Sequence, residues 1–442
     1  MTSPKRIMVD MSATLLHHGH IRLIRQATQY GTVIIGLTTD EEIRQVKGYE
    51  PELSFAERKE ILAAITGVAE VVPTPWLLTE EVLDHYRIDL LLHGHDNSNP
   101  ITPERLLLLP RTEGVSSTDL RRRAQRALIS IANRKLMLTP GPAALLPENL
   151  SGLRPLFGRG DEEYQQIHAT VIDWLKGISG QDQVICAQGS ATFALELAAH
   201  TFVRGRCLLI ASGYYSDRLR LLLPPETEAT VVSHEQLTTA TGRFDWVLCA
   251  YTETARAFKL DLPAIRAKAD ALGAKLFVDA TGSIGLEDGH ELADLTAFSS
   301  CKGLFGLTGA CFVAFKDELV EHPARSFYRN LETHRQRLVT GPYHALASLV
   351  DVIPIHGRLR QRVAKSKAVC IEQYQEYIPS RENQPLLCTY LKAEVTALDD
   401  KVILYTPRQG KPGSVICHLG EIHHDGVALP RRIAVRPLPD TP

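Results

Sequence analysis

Twice along this chain, short apolar runs alternate with amphipathic helical ones, and the two series are divided by the helix-breaking Leu138-Thr139-Pro140-Gly141-Pro142. Runs that alternate in this way form parallel strands buried beneath the helices that connect them, so the rhythm restricts the chain to α/β architecture. The first series runs through 6–9, 20–29, 32–37, 54–65, 89–92 and 106–109. A polar, basic stretch from Ser117, opened by Ser/Thr capping residues, reads as the helix that closes this first domain. Strand candidates of the second series are 183–187, 207–211, 246–250, 275–279 and 295–299, followed by a glycine-rich 300–315, and they predict a larger doubly wound sheet. Beyond about residue 345 a helix at 359–377 and short strands at 394–397, 401–405 and 414–419 predict a small C-terminal lobe. At 442 residues the chain is about three times the usual ~150 per domain, and the boundary is expected at 127/128.

Charge excludes whole classes of partner. Lys and Arg total 49 against 51 Asp and Glu, a net −2, which supplies no general attraction to nucleic acid or an anionic membrane. Any anionic ligand must then be held by local groups. No apolar run reaches the ~18 residues of a membrane span, and His17, His18 and His20 interrupt the place where a signal peptide would continue its apolar core. The expectation is a cytoplasmic protein. All eight cysteines lie beyond residue 185 without a C-x-x-C pair, which reads as reduced, mostly buried thiols.

Two residue constellations carry chemistry. In the first, His17-His18-Gly19-His20 opens a helix, where glycine allows close approach to a phosphate and the helix start offers N–H groups. His17 and His20, three apart, share one face and suit the stabilisation of charge on a leaving pyrophosphate. Arg111-Thr112-Glu113-Gly114-Val115-Ser116-Ser117-Thr118 adds a guanidinium and hydroxyls at a second helix start. A metal site built on His17, His20, His93 and His95 is the weaker reading, because no nearby carboxylate has ligand spacing; no protein-held metal is expected.

These motifs, with Gly36 to Glu41, Lys47, Glu57-Arg58-Lys59 and Leu91-Leu92-His93-Gly94-His95-Asp96, resemble the glycerol-3-phosphate cytidylyltransferases over about residues 5 to 125. The resemblance implies a Rossmann-like nucleotidyltransferase fold and in-line attack by a phosphate or phosphonate oxygen on CTP, with Mg²⁺. It assigns transition-state stabilisation to His17 and His20, and phosphate binding to Lys47 and Arg111. Thr112, Ser116, Ser117 and Thr118 would complete the triphosphate site. Gly94 and Asp96 would lie at the cytosine and ribose end, with Ser12, Ala13 and Gly19 also lining the nucleotide. The family's G-T-F-D is here Met11-Ser12-Ala13-Thr14, so its acidic residue is missing and glycerol phosphate is not the expected acceptor.

In the second constellation, Asp279 ends an apolar strand and Lys302 follows the next one, so carboxylate and amine converge at one sheet edge. Pyridoxal phosphate needs this pair, an anion for its ring nitrogen and an amine for its aldehyde. Ser190, Ala191 and Thr192 start a helix suited to the cofactor phosphate, and Tyr214 or Tyr215 offers a ring to the pyridine face.

Together with L-T-P-G-P, E-T-A-R and V-T-G-P-Y-H, these segments resemble the class V, fold type I aminotransferases, most of all the 2-aminoethylphosphonate transaminases, over about residues 133 to 430. The resemblance implies Lys302 as the aldehyde-binding, proton-shuttling lysine, Asp279 on the pyridinium, Ser190, Ala191 and Thr192 on the phosphate, and Tyr215 as the stacking ring. It also implies a homodimer in which Thr340 reaches the neighbour's cofactor. Two departures stand out: E-T-T-T-G reads Glu253-Thr254-Ala255-Arg256-Ala257, and the arginine expected to clamp a substrate anion is Val415, with Arg408 or Lys411 as substitutes from the preceding loop. Fusion of the two units predicts transamination to an aminoalkylphosphonate, with an amino donor such as alanine, and its activation with CMP. The same chemistries on a phosphorylated amino alcohol, or a scaffolding role for the second unit, are the alternatives.

Overall fold

The computed structural model describes residues 4–95, 97–110, 112, 114–153, 158, 160–322, 324–408, 412–423 and 432–438. The chain forms two compact units that divide between Leu128 and Ile129.

The first unit contains β1 (Arg6–Met11), α1 (His18–Ala27), β2 (Thr32–Thr38), α2 (Asp40–Lys47), α3 (Phe55–Ala63), β3 (Val68–Thr74), α4 (Glu80–His85), β4 (Leu90–Gly94), β5 (Leu106–Leu109) and the start of α5 (Ser117–Ala132). The strands form one parallel sheet in the order β3-β2-β1-β4-β5. Its central strand alternates Ile7 and Val9 on one face with Met8 on the other, all fully buried. Ile24 and Leu62 pack on the first face and Leu83 on the second, so α1 and α3 cover one side and α4 the other. Chain direction across the sheet reverses between β1 and β4, and a crevice at their C-terminal ends is where such sheets hold ligands.

The second unit contains β6 (Leu136–Leu138), α6 (Glu162–Ser179), β7 (Gln183–Gln188), α7 (Ala191–Phe202), β8 (Arg206–Ala211), α8 (Tyr214–Leu221), β9 (Glu228–Ser233), β10 (Trp246–Ala250), the hairpin β11 (Thr252–Glu253) and β12 (Phe258–Lys259), α9 (Leu262–Ala271), β13 (Lys275–Asp279), β14 (Leu295–Ser299) and β15 (Ala310–Phe315). Seven strands make its large sheet, ordered β7-β15-β14-β13-β10-β8-β9. β15, which follows the glycines of 300–315, is antiparallel to both neighbours, so the sheet is mixed. The other six strands are parallel, and all end at the same edge. Alternate residues supply two cores: Val247, Val278 and Phe312 face α6 and α9, while Leu248, Phe277 and Val313 face α7.

The remaining elements are α10 (Leu331–Arg335), α11 (Tyr343–Ala347), α12 (His356–Gln373), β16 (Cys388–Leu391), β17 (Ala393–Ala397), β18 (Val402–Leu404), β19 (Ser414–Cys417) and β20 (Ile433–Pro437). The small lobe is not built from residues beyond 345 alone, because β6 pairs in parallel with β18. The expected helix at 359–377 begins and ends earlier, as α12. All eight cysteines are free, six of them buried. Among the described residues, no helix is long and apolar enough to cross a membrane.

Candidate functional site

In the first unit, a cleft of about 530 Å³ opens at the β1/β4 crossing, lined by residues that follow β1 and β4 and by the start of α5. Its centre is a helix cap built from imidazoles. His17, extended at φ −145°, caps α1: its Nδ1 accepts from the Gly19 N–H at 3.2 Å, and the Nδ1 of His20 accepts from the His17 N–H at 3.2 Å. An Nδ1 that accepts from a backbone N–H carries no proton, so each neutral ring is fixed with its proton on Nε2. The two rings lie 3.9 Å apart. A Cβ on Gly19 would fall 2.9 Å from the His17 Nδ1 and 3.3 Å from Val115 Cγ1, which explains the glycine.

Lys47 ends α2, and Gly48 behind it adopts the left-handed conformation that stops the helix. The Lys47 ammonium donates to Ser12 Oγ at 3.4 Å and lies 4.9 Å above the Trp76 ring. Ser12, His17, Gly19, His20, Lys47, Gly94, Thr112, Ser116, Ser117 and Thr118 all line the cleft. Ala13 does not line it: it is buried in the core at φ +41°. Two of the expected phosphate-binding hydroxyls have structural tasks. Ser116 Oγ donates to Asp119 and accepts from its N–H, capping α5, and Ser117 Oγ donates to the Leu15 carbonyl. What α5 presents at its start is therefore backbone N–H and Thr118. Asp96 and Arg111 lie outside the described residues. His93 borders the cleft and His95 is exposed; among the described residues no three metal-ligating side chains converge.

Several lining residues had escaped notice. Asp10, at the end of β1, accepts from Asn99 Nδ2 at 3.0 Å and lies 3.5 Å from His93 Nε2. An acid directly after the apolar Ile7-Met8-Val9 was a signal that sequence reading could have used. Arg121 on α5 donates to Thr14 Oγ1 at 3.1 Å, to the Tyr49 hydroxyl at 3.0 Å and to Glu52, which it holds below the usual carboxylate range. Thr14 occupies the place of the missing acid, so a guanidinium now faces that position. Arg58, 1% exposed, binds the Ser12 and Thr38 carbonyls at 2.5 and 3.0 Å and Asp40 at 2.5 Å, locking the ends of β1 and β2 beside the cleft.

In the second unit the shared strand edge gathers a second set. Lys302 follows β14, and its ammonium lies 5.8 Å above the Tyr215 ring; the Arg218 guanidinium lies 4.7 Å from the same ring, and the Tyr214 ring meets it edge-on at 5.2 Å. Arg218 donates to Asp279 Oδ2 at 3.1 Å, while Asp279 Oδ1 accepts from the Thr281 N–H at 2.9 Å. Gly141 of L-T-P-G-P rests against Lys302: a Cβ there would lie 2.9 Å from Lys302 Cγ. Glu253 is fully buried and fixes the loop, accepting from the Tyr215 and Ala255 N–H groups; burial raises its carboxyl above the ordinary value. Tyr405 of the small lobe stands close enough to Tyr215 for the two phenols to interact, and burial pushes its phenol up strongly. Arg218, one helical turn after Tyr215, was detectable from spacing; nothing local marked Tyr405.

Ser190 caps α7 without bonding its own helix through its side chain, and the first bonds of α7 are from Phe193 and Ala194 to the Ser190 carbonyl. The Ala191 and Thr192 N–H groups precede the helical ladder, as an anion site at the end of β7 requires. Thr340 is exposed and borders a recess with His168 and Arg337. Arg408 donates to the Tyr214 hydroxyl at 2.6 Å, and Lys411 lies outside the described residues. Val415 is buried in the apolar cluster of the small lobe. The set fits pyridoxal phosphate, because Ser212 Oγ, Thr252 Oγ1, Thr281 Oγ1 and Arg218 Nε are buried without a partner around Asp279. A bound polar ligand removes such a penalty, about 1–3 kcal/mol for each group.

The chain belongs to the cytidylyltransferase-like family, which matches residues 13–123. Glycerol-3-phosphate cytidylyltransferase of Staphylococcus aureus is 30% identical over 122 residues, covering 26% of this chain and 92% of that protein. Ethanolamine-phosphate cytidylyltransferase of Arabidopsis thaliana is 31% identical over 160 residues, 32% of this chain, and the chain spans only 37% of that relative's length. Over 301 residues, 59% of this chain, the 2-aminoethylphosphonate–pyruvate transaminase of Pseudomonas putida is 26% identical, with 82% of that protein covered. The structure of pyridoxamine-pyruvate aminotransferase from Mesorhizobium loti superposes with a TM-score of 0.57 at 19% identity, covering 65% of this chain and 87% of that one. The chain is thus a fusion of a cytidylyltransferase-like unit with one of aminotransferase fold.

Proposed function

We propose that the protein is a bifunctional transferase that makes an aminoalkylphosphonate by transamination and joins CMP from CTP to the phosphonate oxygen. Support for the second step rests on the imidazole cap, whose two rings are fixed as Nε2–H donors on one face of the cleft. A phosphonate oxygen attacks the α-phosphorus; a P–O bond forms, the bond to the bridging oxygen breaks, and pyrophosphate leaves with the electron pair. His17 and His20 stabilise the charge that builds on the phosphates, and the Lys47 ammonium and the start of α5 hold them. Arg111 completes the phosphate contacts, Gly94 and Asp96 hold the nucleoside, and Mg²⁺ enters with CTP as part of the substrate.

In the second unit, pyridoxal phosphate when bound supplies an aldehyde and an electron-withdrawing ring. Lys302 would hold that aldehyde and serve as the proton carrier, Asp279 would keep a proton on the ring nitrogen, Tyr215 would pack on the ring, and Ser190, Ala191 and Thr192 would hold the phosphate. The protein works in this reading as a cytoplasmic homodimer, with Thr340 reaching the partner's cofactor. The likeness to ethanolamine-phosphate cytidylyltransferases favours a second reading in which the acceptor is ethanolamine phosphate, which differs from 2-aminoethylphosphonate by one bridging oxygen. Incubation with CTP, Mg²⁺ and each acceptor separates them. Pyrophosphate release with 2-aminoethylphosphonate at least tenfold faster than with ethanolamine phosphate or glycerol phosphate is expected; release with a phosphate ester alone refutes the phosphonate assignment.

A further inference from the structure

An aminotransferase that handles a substrate with an anionic tail needs a cation beside the cofactor, and the position where one was expected holds Val415, sealed in apolar packing. The small-lobe cluster that contains Val415 also contains Ala257, so the loop between β11 and β12 packs directly on that wall. Glu253, which opens the same loop, accepts from the Tyr215 N–H at 2.9 Å, and the Tyr215 ring lies 5.8 Å from the Lys302 ammonium. The loop thus runs from the lysine's neighbourhood to the wall that holds Val415.

Between Thr254 and Ala257 stands Arg256. Its backbone N–H closes the turn on the Glu253 carbonyl at 3.2 Å. Its Nε is buried with no hydrogen-bond partner. Nearby Glu253 does not pair with it through a hydrogen bond, because both carboxylate oxygens accept from the backbone of Tyr215 and Ala255. The charges of both Arg256 and Asp279 act on Glu253. A buried guanidinium N–H without an acceptor is costly until one is supplied. Arg408 is engaged with the Tyr214 hydroxyl and lies over its ring at 5.3 Å.

We propose that Arg256 is the specificity residue that binds the terminal oxyanion of the amino substrate, a phosphonate or a carboxylate, in place of the arginine absent at 415. This deepens the transaminase reading and rests on it. The class of oxyanion, and the role of Arg256, are read from the absorption of bound pyridoxal phosphate during titration with ethylphosphonate or propionate. Neither carries an amine, so neither reacts, and an anion held in the first unit does not touch the cofactor's spectrum.

The holoprotein is expected to show a saturable spectral change, with R256A weakening the half-saturation concentration at least 30-fold, R256K recovering part of the loss, and R408A staying within threefold of the parent. A stronger response to ethylphosphonate assigns the dianion, and a stronger response to propionate assigns the carboxylate. R256A that retains cofactor and binds either anion as the parent does overturns the inference, as does a parent that responds to neither. R256Q, which keeps a polar side chain without the charge, replaces R256A if the latter loses its native dichroism. A protein that takes up no cofactor overturns the transaminase reading itself.

Discussion

Replacing Arg58 with methionine tests whether one buried guanidinium sets the floor of the nucleotide cleft. The side chain donates to the Leu53, Ser12 and Thr38 carbonyls and to Asp40, at 3.0, 2.5, 3.0 and 2.5 Å, while being 1% exposed. Methionine fills much of the volume but leaves three carbonyls and one carboxylate without their donor. A broken buried ion pair costs about 3–5 kcal/mol, and each orphaned acceptor about 1–3 kcal/mol. The terms do not add, because the Asp40 side chain is 23% exposed and can regain water. About 4 kcal/mol is the expected loss for R58M, and about 2 kcal/mol for R58K, which keeps the charge without the fork. Trp76 is the tryptophan of the first unit, Trp174 and Trp246 those of the second. Fluorine NMR of 5-fluorotryptophan-labelled protein in urea therefore follows each unit separately. The Trp76 midpoint should fall by roughly 2 M in R58M, taking a slope of about 1–3 kcal/mol/M, with the other two midpoints unchanged. Adding D40N to R58M should restore about 1–2 kcal/mol by removing the unpaired charge. A Trp76 midpoint within roughly 0.5 M of the parent, or no gain from the second substitution, refutes the argument that the guanidinium holds these strand ends.

Two further outcomes follow from the geometry. G19A drives a Cβ to 2.9 Å from the His17 Nδ1, so it should cut pyrophosphate release about 100-fold while native dichroism persists; near-parent turnover would show that the imidazole cap is not needed. Burial lowers His290 from 6.5 to about 4, beside Ser283 Oγ at 2.9 Å. The unfolded chain then takes up a proton that the folded one refuses, so stability is complete above pH 6.5 and falls by up to about 3 kcal/mol as the pH drops to 4. The variant H290Q should lose about 1.4 kcal/mol less per pH unit between 4.5 and 6, measured from the urea midpoints of Trp174 and Trp246; identical slopes would contradict the neutral, buried ring.

Much of the architecture was legible because burial on both faces writes itself into sequence as apolar runs. Val247, Leu276 and Phe298 could belong only to inner strands, and Pro140-Gly141-Pro142 to a break. Antiparallel β15 was not legible, since an apolar strand carries no mark of its direction. The pairing of β6 with β18 was equally hidden, because it joins segments more than 250 residues apart in sequence.

Composition and order of residues determined the two chemistries: H-x-G-H at a helix start, and an acid and a lysine after successive strands, are local patterns that secondary structure carries intact into space. Partnership was decided only by the tertiary fold. Ser116 gained Asp119 as a capping partner, Ala13 went into the core, and Thr14 acquired Arg121 as its neighbour. Hydrogen-bond donors and charges are assigned by distance rather than by sequence separation, and in this protein the partners of Asp279, Tyr215 and Arg58 arrive from elements that only folding brings within reach.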